Sequence, residues 1–175
     1  EGWGQFDAQK AADILRSLDP SRLIDHASGW FDQKAGDLAS LHYYFFSLKI
    51  RPEAERALAL TEFGGYTWHI PRHSYSRRQY GYGKYKTRAS LTAGYRKLLT
   101  QTVLPAVKRG ISATVYTQLS DVEEEVNGLV SYDRRVVKIP VKTCPPSETD
   151  SPENGPSQSG SSESDSSENG SSGCC

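Results

Sequence analysis

Apolar residues are confined to the first part of this chain, and that confinement limits the size of the fold it can form. The chain has 175 residues, and from Cys144 onward it consists almost entirely of Ser, Gly, Glu, Asp, Asn and Pro. A segment of this composition cannot bury enough apolar surface to offset the entropy lost on ordering. We therefore predict a folded domain over residues 1–143 and a disordered Ser/Gly/Glu-rich tail over residues 144–175.

Short apolar runs alternate with helical patterns along the first 143 residues. Residues 22–26, 38–46, 57–61, 112–118 and 136–141 have the pattern of strands or extended segments. A first helix is predicted after Asp7 as its cap, ending at the Asp19-Pro20 step, with an apolar stripe of Ala11, Ile14, Leu15 and Leu18. A second is predicted from residue 90 to Gly110, with a kink at Pro105. Buried strands separated by helices predict a parallel α/β fold.

Charge and terminal composition add few constraints. The tail holds six acidic and no basic residues, so the first 144 residues carry 21 basic and 15 acidic groups. A basic body with an acidic tail is compatible with nucleic-acid binding. No apolar run is long enough for a membrane span. The chain has no methionine and begins with glutamate, so we expect an internal piece of a longer protein; its compartment stays open.

A glutamate follows the third predicted strand in the segment Leu60-Thr61-Glu62-Phe63-Gly64-Gly65. The two glycines allow the backbone to turn immediately after the strand. Catalytic groups of α/β barrels lie at this end of their strands. A solvated glutamate in a turn is the structural alternative.

The start of the chain, Glu1-Gly2-Trp3-Gly4, has a related form, with a glutamate followed by a glycine and a tryptophan. Two glutamates at strand ends suit glycoside hydrolysis, in which one carboxylic acid protonates the leaving oxygen and the other carboxylate attacks the sugar. Such a pair needs environments that separate the two pKa values.

Five segments of the chain, in order, resemble motifs of glycoside hydrolase family 2, the β-galactosidase and β-glucuronidase group. Glu1-Gly2-Trp3-Gly4 resembles the end of its Asn-Glu-x-Trp-Gly motif, and Thr61-Glu62-Phe63-Gly64 its nucleophile motif. Three further segments resemble its Asp-Pro-Ser-Arg stretch, its closing strand and the stretch after it: Asp19-Pro20-Ser21-Arg22, residues 116–123 and residues 127–134. The resemblance implies the second half of a (β/α)8 TIM barrel, about strands 4/5 to 8, with the other half and β-domains upstream.

The resemblance also implies roles for individual residues. Glu1 would be the general acid/base and Glu62 the nucleophile of a retaining double displacement. Tyr44, or alternatively Tyr43, would hydrogen-bond the nucleophile, and His42 would face the sugar unless it is a structural histidine. The remaining candidates are sugar platforms or hydroxyl binders, each with a core or loop-capping alternative: Trp30, Trp68, Tyr116, Gln118 and Asp121.

Two departures from the family pattern bear on activity and substrate. The asparagine before the acid/base and the first half of the barrel are absent from the sequence, which leaves the activity of this chain open. β-Glucuronidases carry an Asn-x-Lys motif that reads the sugar carboxylate. The corresponding region here has three consecutive acids, Glu123, Glu124 and Glu125, and no lysine. We therefore expect a neutral β-linked sugar such as a β-galactoside, and no cofactor.

Three other readings stay open. Tyrosines and basic residues alternate over residues 73–88, as in segments that stack on bases and neutralise phosphates. His69 and His73 have the spacing of a metal pair, but Pro71 prevents a shared helical face, so we assign no metal ligand. A catalytically incomplete remnant of a family 2 enzyme would share every motif. We favour the glycosidase, with a carbohydrate substrate and neither nucleic acid nor membrane as partner.

Overall fold

Three parallel strands form the main sheet of this protein. The structure is a computed structural model that describes residues 4–26, 29–45 and 47–140. Strands β1 (Leu38–Tyr43) and β2 (Ala57–Gly64) are followed by a short pair, β3 (Tyr66–Thr67) and β4 (Tyr82–Lys84), and then by β5 (Ala113–Thr117). The sheet has the order β1-β2-β5, with β2 in the centre. The three strands are parallel, in line with the sequence pattern, while the partial (β/α)8 barrel stays a prediction.

Two helical segments accompany the strands, one before β1 and one between β4 and β5, and no helix lies between β1 and β2 among the described residues. Helix α1 spans Ala8–Leu18, and a continuous helical segment consists of α2 (Arg88–Leu98), a π-helical turn (Leu99–Val103) and α3 (Leu104–Lys108). Thr87 and Ser90 form a capping box at the start of α2. Pro105 lacks a backbone donor, and the wider π turn just before it lets the chain continue helically. Gly110, at a φ of 112°, ends the segment.

The main core lies between this helical segment and one face of the sheet. Leu60 and Phe63 of β2 pack there with Leu98, Val103 and Ile111. A second cluster, of Leu91, Tyr95 and Ile139, adjoins it and packs against Trp68. Both clusters place apolar side chains of α2 against the sheet, which fixes the strand ends relative to the helix.

Two sequence predictions about the first 26 residues are wrong. Asp7 makes no side-chain cap at α1; instead the Ala8 amide donates to Gln33 Oε1 at 3.0 Å. Residues 22–26 form no strand, because the Asp37 carboxylate accepts the Ile24 amide that a neighbouring strand would have used.

Helix α1 has the predicted periodicity but buries a different face. Ala8 and Ala12 are buried against Ile24 and Ala35. The predicted apolar stripe is exposed instead, with Ile14, Leu15 and Leu18 at 51%, 52% and 77%. The small alanine face allows the closer approach to the segment after the helix.

The loop after β5 is fixed by a buried ion pair. Lys138 Nζ lies 2.6 Å from Asp121 Oδ1, and both side chains are fully buried. Lys138 also donates to the Val126 carbonyl, and Asp121 accepts the Gly128 amide. The predicted extended segment 136–141 contributes one bridge, Val137 to Val130, rather than a strand. Its last residue and the tail 144–175 lie outside the described residues.

No helix among the described residues is long and apolar enough to cross a membrane.

Candidate active site

An irregularity in β2 sets the direction of Glu62. The register against β5 shifts between Leu60 and Phe63, so these two residues enter the same core although they are three positions apart. Without the shift, strict alternation would turn Phe63 away from that core. A bulge of this kind redirects side chains and is common beside active sites. Glu62 therefore leaves the sheet near the carboxyl end of its central strand, opposite His42 of β1.

Glu62 is held through one of its two carboxylate oxygens. The Tyr44 hydroxyl donates to Oε2 at 2.8 Å, and His42 Nδ1 lies 3.3 Å from the same atom. No donor among the described residues contacts Oε1. The side chain is 37% exposed. One oxygen is thus fixed and the other is left for a ligand.

Tyr44 connects this carboxylate to the end of β5. Its hydroxyl oxygen lies 2.9 Å from Thr117 Oγ1 as well as beside Glu62. The single phenolic proton is best used towards the carboxylate, with Thr117 donating to the tyrosine oxygen. Burial first, and then the bond to Glu62 and its charge, raise the pKa of Tyr44 well above its ordinary value. The hydroxyl therefore stays protonated and remains a donor.

A cluster of five rings lies beside Glu62. Tyr44 stacks on Tyr82 with centroids 4.3 Å apart, and Trp30 contacts His42 edge-on at 5.7 Å. Phe45 joins the two pairs, at 5.4 Å from Trp30 and 5.7 Å from Tyr82. Half of the Phe45 surface is exposed. Exposed aromatic surface next to a carboxylate suits the apolar face of a sugar ring.

A cavity of about 570 Å³ adjoins the ring cluster and extends away from Glu62. Its lining includes Trp30, His42 and Asp32 together with basic side chains of the segment after β1, Lys49 and Arg51. Arg56 is almost fully buried and forms ion pairs with Asp32 and Glu53, two acidic residues that line this cavity. Neither Glu62 nor Tyr44 lines this cavity, so it is separate from the space in front of the carboxylate.

A group of polar side chains lies in the loop that begins directly after β5. Gln118 Nε2 donates to Glu125 Oε2 at 3.1 Å and to Asn127 Oδ1 at 2.8 Å. Gln118 directly follows Thr117, the residue that contacts Tyr44. The peptide bond between them is cis. Gln118 lies next to the site and donates hydrogen bonds to other side chains of the loop.

The structure brings some of the predicted residues together and leaves others elsewhere. Trp30, His42, Tyr44, Glu62 and Gln118 form one neighbourhood. Tyr44 donates to Glu62, which is the contact that the resemblance implies, whereas the alternative, Tyr43, packs against the main core. His42 is buried, so it supports Glu62 from behind. Glu1 lies outside the described residues.

Three predicted sugar-binding residues are not in this neighbourhood. Tyr116 packs edge-on against Phe63 and Tyr95, on the helix side of the sheet. Trp68 packs against the Leu91 cluster. Asp121 is fully buried in its ion pair, so it holds the loop and has no access to a ligand. For all three the core or loop-capping alternative fits the placement.

Three residues beside Glu62 were not among the sequence candidates. Thr117 ends β5 and Phe45 lies two residues after β1, and a position at a strand end was the available signal. Tyr82 belongs to the tyrosine-rich stretch that suggests nucleic-acid binding, and the pairing of β4 with β3 brings it to the site.

No group of three potential metal ligands occurs in the described parts of the chain. His69 and His73 have separate partners, the Ser76 carbonyl and the Asp133 carboxylate.

No protein-family model matches the chain, and no curated protein sequence matches it at a significant level.

Proposed function

We propose that this chain carries the nucleophile half of a retaining β-glycosidase, with Glu62 as the nucleophile. The observation that supports this best is the asymmetric support of the Glu62 carboxylate. Tyr44 and His42 contact Oε2, and Oε1 takes no hydrogen bond from the described residues. A nucleophilic carboxylate needs this combination of one anchored oxygen and one accessible oxygen.

In the proposed reaction, Oε1 of Glu62 attacks the anomeric carbon of a β-glycoside. The bond from that carbon to the leaving oxygen breaks, and the leaving oxygen takes a proton from a carboxylic acid. Water then attacks the glycosyl-enzyme, gives a proton back to the acid/base and restores the Glu62 carboxylate, with net retention. The resemblance to family 2 assigns the acid/base role to Glu1, within about 5–5.5 Å of the nucleophile in retaining enzymes.

The ring cluster supports a sugar substrate. Tyr44, Tyr82, Phe45 and Trp30 offer aromatic faces next to Glu62. Phe45, at half exposed, is the most accessible ring of this cluster. Acidic side chains in the loop after β5 favour an uncharged sugar over a uronic acid, and a β-galactoside is the substrate we propose.

The nucleic-acid alternative has less support from this geometry. Tyr82 stacks within the fold on Tyr44, and the Tyr85 ring packs against Gly94 of α2 and against Tyr66. These tyrosines are therefore not free to stack on bases. The stretch has five basic residues, and all are exposed: Arg77, Arg78, Lys84, Lys86 and Arg88. Binding of single-stranded RNA that weakens steeply with salt would favour this alternative.

Hydrolysis of nitrophenyl β-galactoside, β-glucuronide and β-mannoside tests the proposal. We expect turnover of the galactoside by the parent chain and none by Glu62→Gln, which keeps the shape of the side chain but removes its nucleophilic charge. Glu55→Gln, at an exposed position before β2, is the matched control and should retain full activity. Equal turnover by the parent and Glu62→Gln would refute the role of Glu62. Absence of turnover in all chains would favour the catalytically incomplete remnant.

A further inference from the structure

The cavity beside β1 has the size and the walls of a small-molecule site. Its volume is about 570 Å³, and its lining is largely apolar. Ala39 and Leu58 line it and are buried, whereas Phe31 lines it and is 50% exposed. The cavity therefore extends from the apolar interior to the solvent. Ligand sites in proteins have volumes of this order and combine apolar walls with a few polar groups.

Two consecutive aromatic residues line the cavity, Trp30 and Phe31. The Trp30 ring is fixed from behind by His42 and Phe45, whose ring centroids lie 5.7 and 5.4 Å away. A fixed ring offers a ligand ring a surface for stacked or edge-on packing, which stabilises aromatic pairs beyond the burial of their area. The aromatic wall therefore favours a ligand that contains an aromatic ring.

The two acidic residues of the lining are already paired with a cation of the protein. Arg56 donates to both carboxylate oxygens of Asp32, at 2.9 and 2.6 Å, and to both oxygens of Glu53, at 2.9 and 2.8 Å. The hydrogen bonds from Arg56 hold the pKa of Asp32 below its ordinary value. These carboxylates are therefore committed to Arg56, and they offer little to a ligand cation.

The two basic residues of the lining have no such partner. Lys49 and Arg51 are exposed, and neither forms an ion pair or a hydrogen bond with another of the described residues. Leu48 and Ile50 alternate with them and pack against the main core. This alternation turns both cations to the side away from the core, where they can act on one ligand group together.

We propose that this cavity is a binding site for a small aromatic anion. The ring of the ligand packs against Trp30 and Phe31. Its carboxylate, sulfonate or phosphate group is bound by Lys49 and Arg51 at the opening, because hydrogen bonds between a cation and an anion are stronger than neutral ones. With the buried guanidinium included, three basic side chains face two acidic ones here, which leaves an excess of one positive charge.

Two ligands that differ in one charge test this site. 2-Naphthoate carries a carboxylate, and 2-naphthamide carries an uncharged amide on the same ring system. Their dissociation constants are measured by calorimetry on the full chain at low salt. We expect 2-naphthoate to bind about fivefold more tightly, which corresponds to about 1 kcal/mol. The preference should decrease at high salt, because ions screen exposed charges.

Three variants separate the contributions of charge and ring. Lys49→Gln/Arg51→Gln should abolish the preference for 2-naphthoate and leave 2-naphthamide binding within about twofold. Phe31→Ser should weaken both ligands by a similar factor, because it removes part of the aromatic wall. Lys84→Gln/Lys86→Gln removes two exposed charges that do not line the cavity. It is the matched control and should leave both dissociation constants within about twofold.

The outcomes distinguish the anion, the site and the proposed glycosidase function. Equal affinities for the two ligands in the parent chain, or a preference that persists in Lys49→Gln/Arg51→Gln, would overturn the assignment of an anion. Binding of neither ligand, or affinities that Phe31→Ser does not change, would overturn the site itself. A change of more than about twofold in Glu62→Gln would place the ligand at the candidate active site and equally overturn the assignment. Because Glu62 does not line the cavity, failure of this site leaves the glycosidase proposal unaffected.

Discussion

The buried ion pair between Lys138 and Asp121 gives a prediction that depends on structure alone. Both side chains are fully buried and their charged atoms are 2.6 Å apart. Burial raises the pKa of Asp121 and lowers the pKa of Lys138, in each case against the attraction of the partner. The loss of hydration therefore outweighs the mutual attraction. The pair holds the loop after β5 in place. Either charge, left buried without its partner, should lower the free energy of unfolding.

The size of the effect follows from what each substitution leaves behind. Lys138→Met leaves the Asp121 carboxylate buried with no cation, and its Oδ2 already has no hydrogen-bond partner among the described residues. Breaking a buried pair from one side costs about 3–5 kcal/mol, out of about 5–15 kcal/mol for a whole domain. The double variant Asp121→Asn/Lys138→Met removes both charges, and the asparagine can still accept the Gly128 amide. We expect it to be within about 1 kcal/mol of the parent, since apolar replacement of a buried pair is often neutral.

Urea denaturation followed by tryptophan fluorescence measures these free energies of unfolding. Trp30 and Trp68 lie in the described fold and report on it. Lys86→Met, at an exposed position, is the control and should change stability by less than about 0.5 kcal/mol. Lys138→Met with parental stability would refute the reasoning. A double variant less stable than the single one would also refute it, because removal of the unpaired Asp121 charge should restore stability.

Three further predictions concern the site and its support. Tyr44→Phe removes the hydrogen-bond donor to Glu62 and should lower the rate of the step that transfers the sugar to the enzyme about tenfold. This is the low end expected for a hydrogen bond to a partly exposed charge. Tyr43→Phe is the control and should keep the parental rate, and equal rates for the two variants would contradict the role of Tyr44. Bonds from Ser131 and then His73 lower the pKa of Asp133 to about 2. The ionised Asp133 therefore stabilises the fold at pH values above the ordinary pKa of 3.8, and this stabilisation is lost as the pH falls towards 2. In thermal unfolding, the melting temperature of Asp133→Asn should fall less than that of the parent as the pH is lowered through this range. Gly64→Ala places a Cβ against the Tyr116 ring at a φ of 89° and should cost about 2 kcal/mol or more in urea denaturation; parental stability of this variant would contradict the close packing.

The strands and helices could be read from the sequence where local pattern decides them. Residues 57–61 form a continuous apolar run, and a strand forms there, extended to Gly64. Leu91, Tyr95 and Leu98 share a stripe, and α2 buries all three. The resemblance to family 2 implies the Tyr44 bond to Glu62, and the structure shows this bond. The strand and the helix depend on residues that lie close together in the sequence.

Features that depend on long-range partners were not predictable in the same way. Helix α1 shows its periodicity in the sequence, but the buried face depends on Ile24 and Ala35, which approach the alanine side. The direction of Glu62 depends on the register shift in β2, which no residue in that strand indicates. The Glu125 side chain is held by Gln118 and Asn127, in a loop that Lys138 fixes from a distant part of the sequence.

Covalent trapping tests the central claim about Glu62 most directly. A dinitrophenyl 2-deoxy-2-fluoro-β-galactoside transfers its sugar to a nucleophile, and the fluorine slows the release of that sugar. We predict a mass increase of one fluorosugar on the full chain, located by peptide mass spectrometry at Glu62 and absent from Glu62→Gln. A label on a different side chain, or an equal label on Glu62→Gln, would contradict the assignment of Glu62 as the nucleophile.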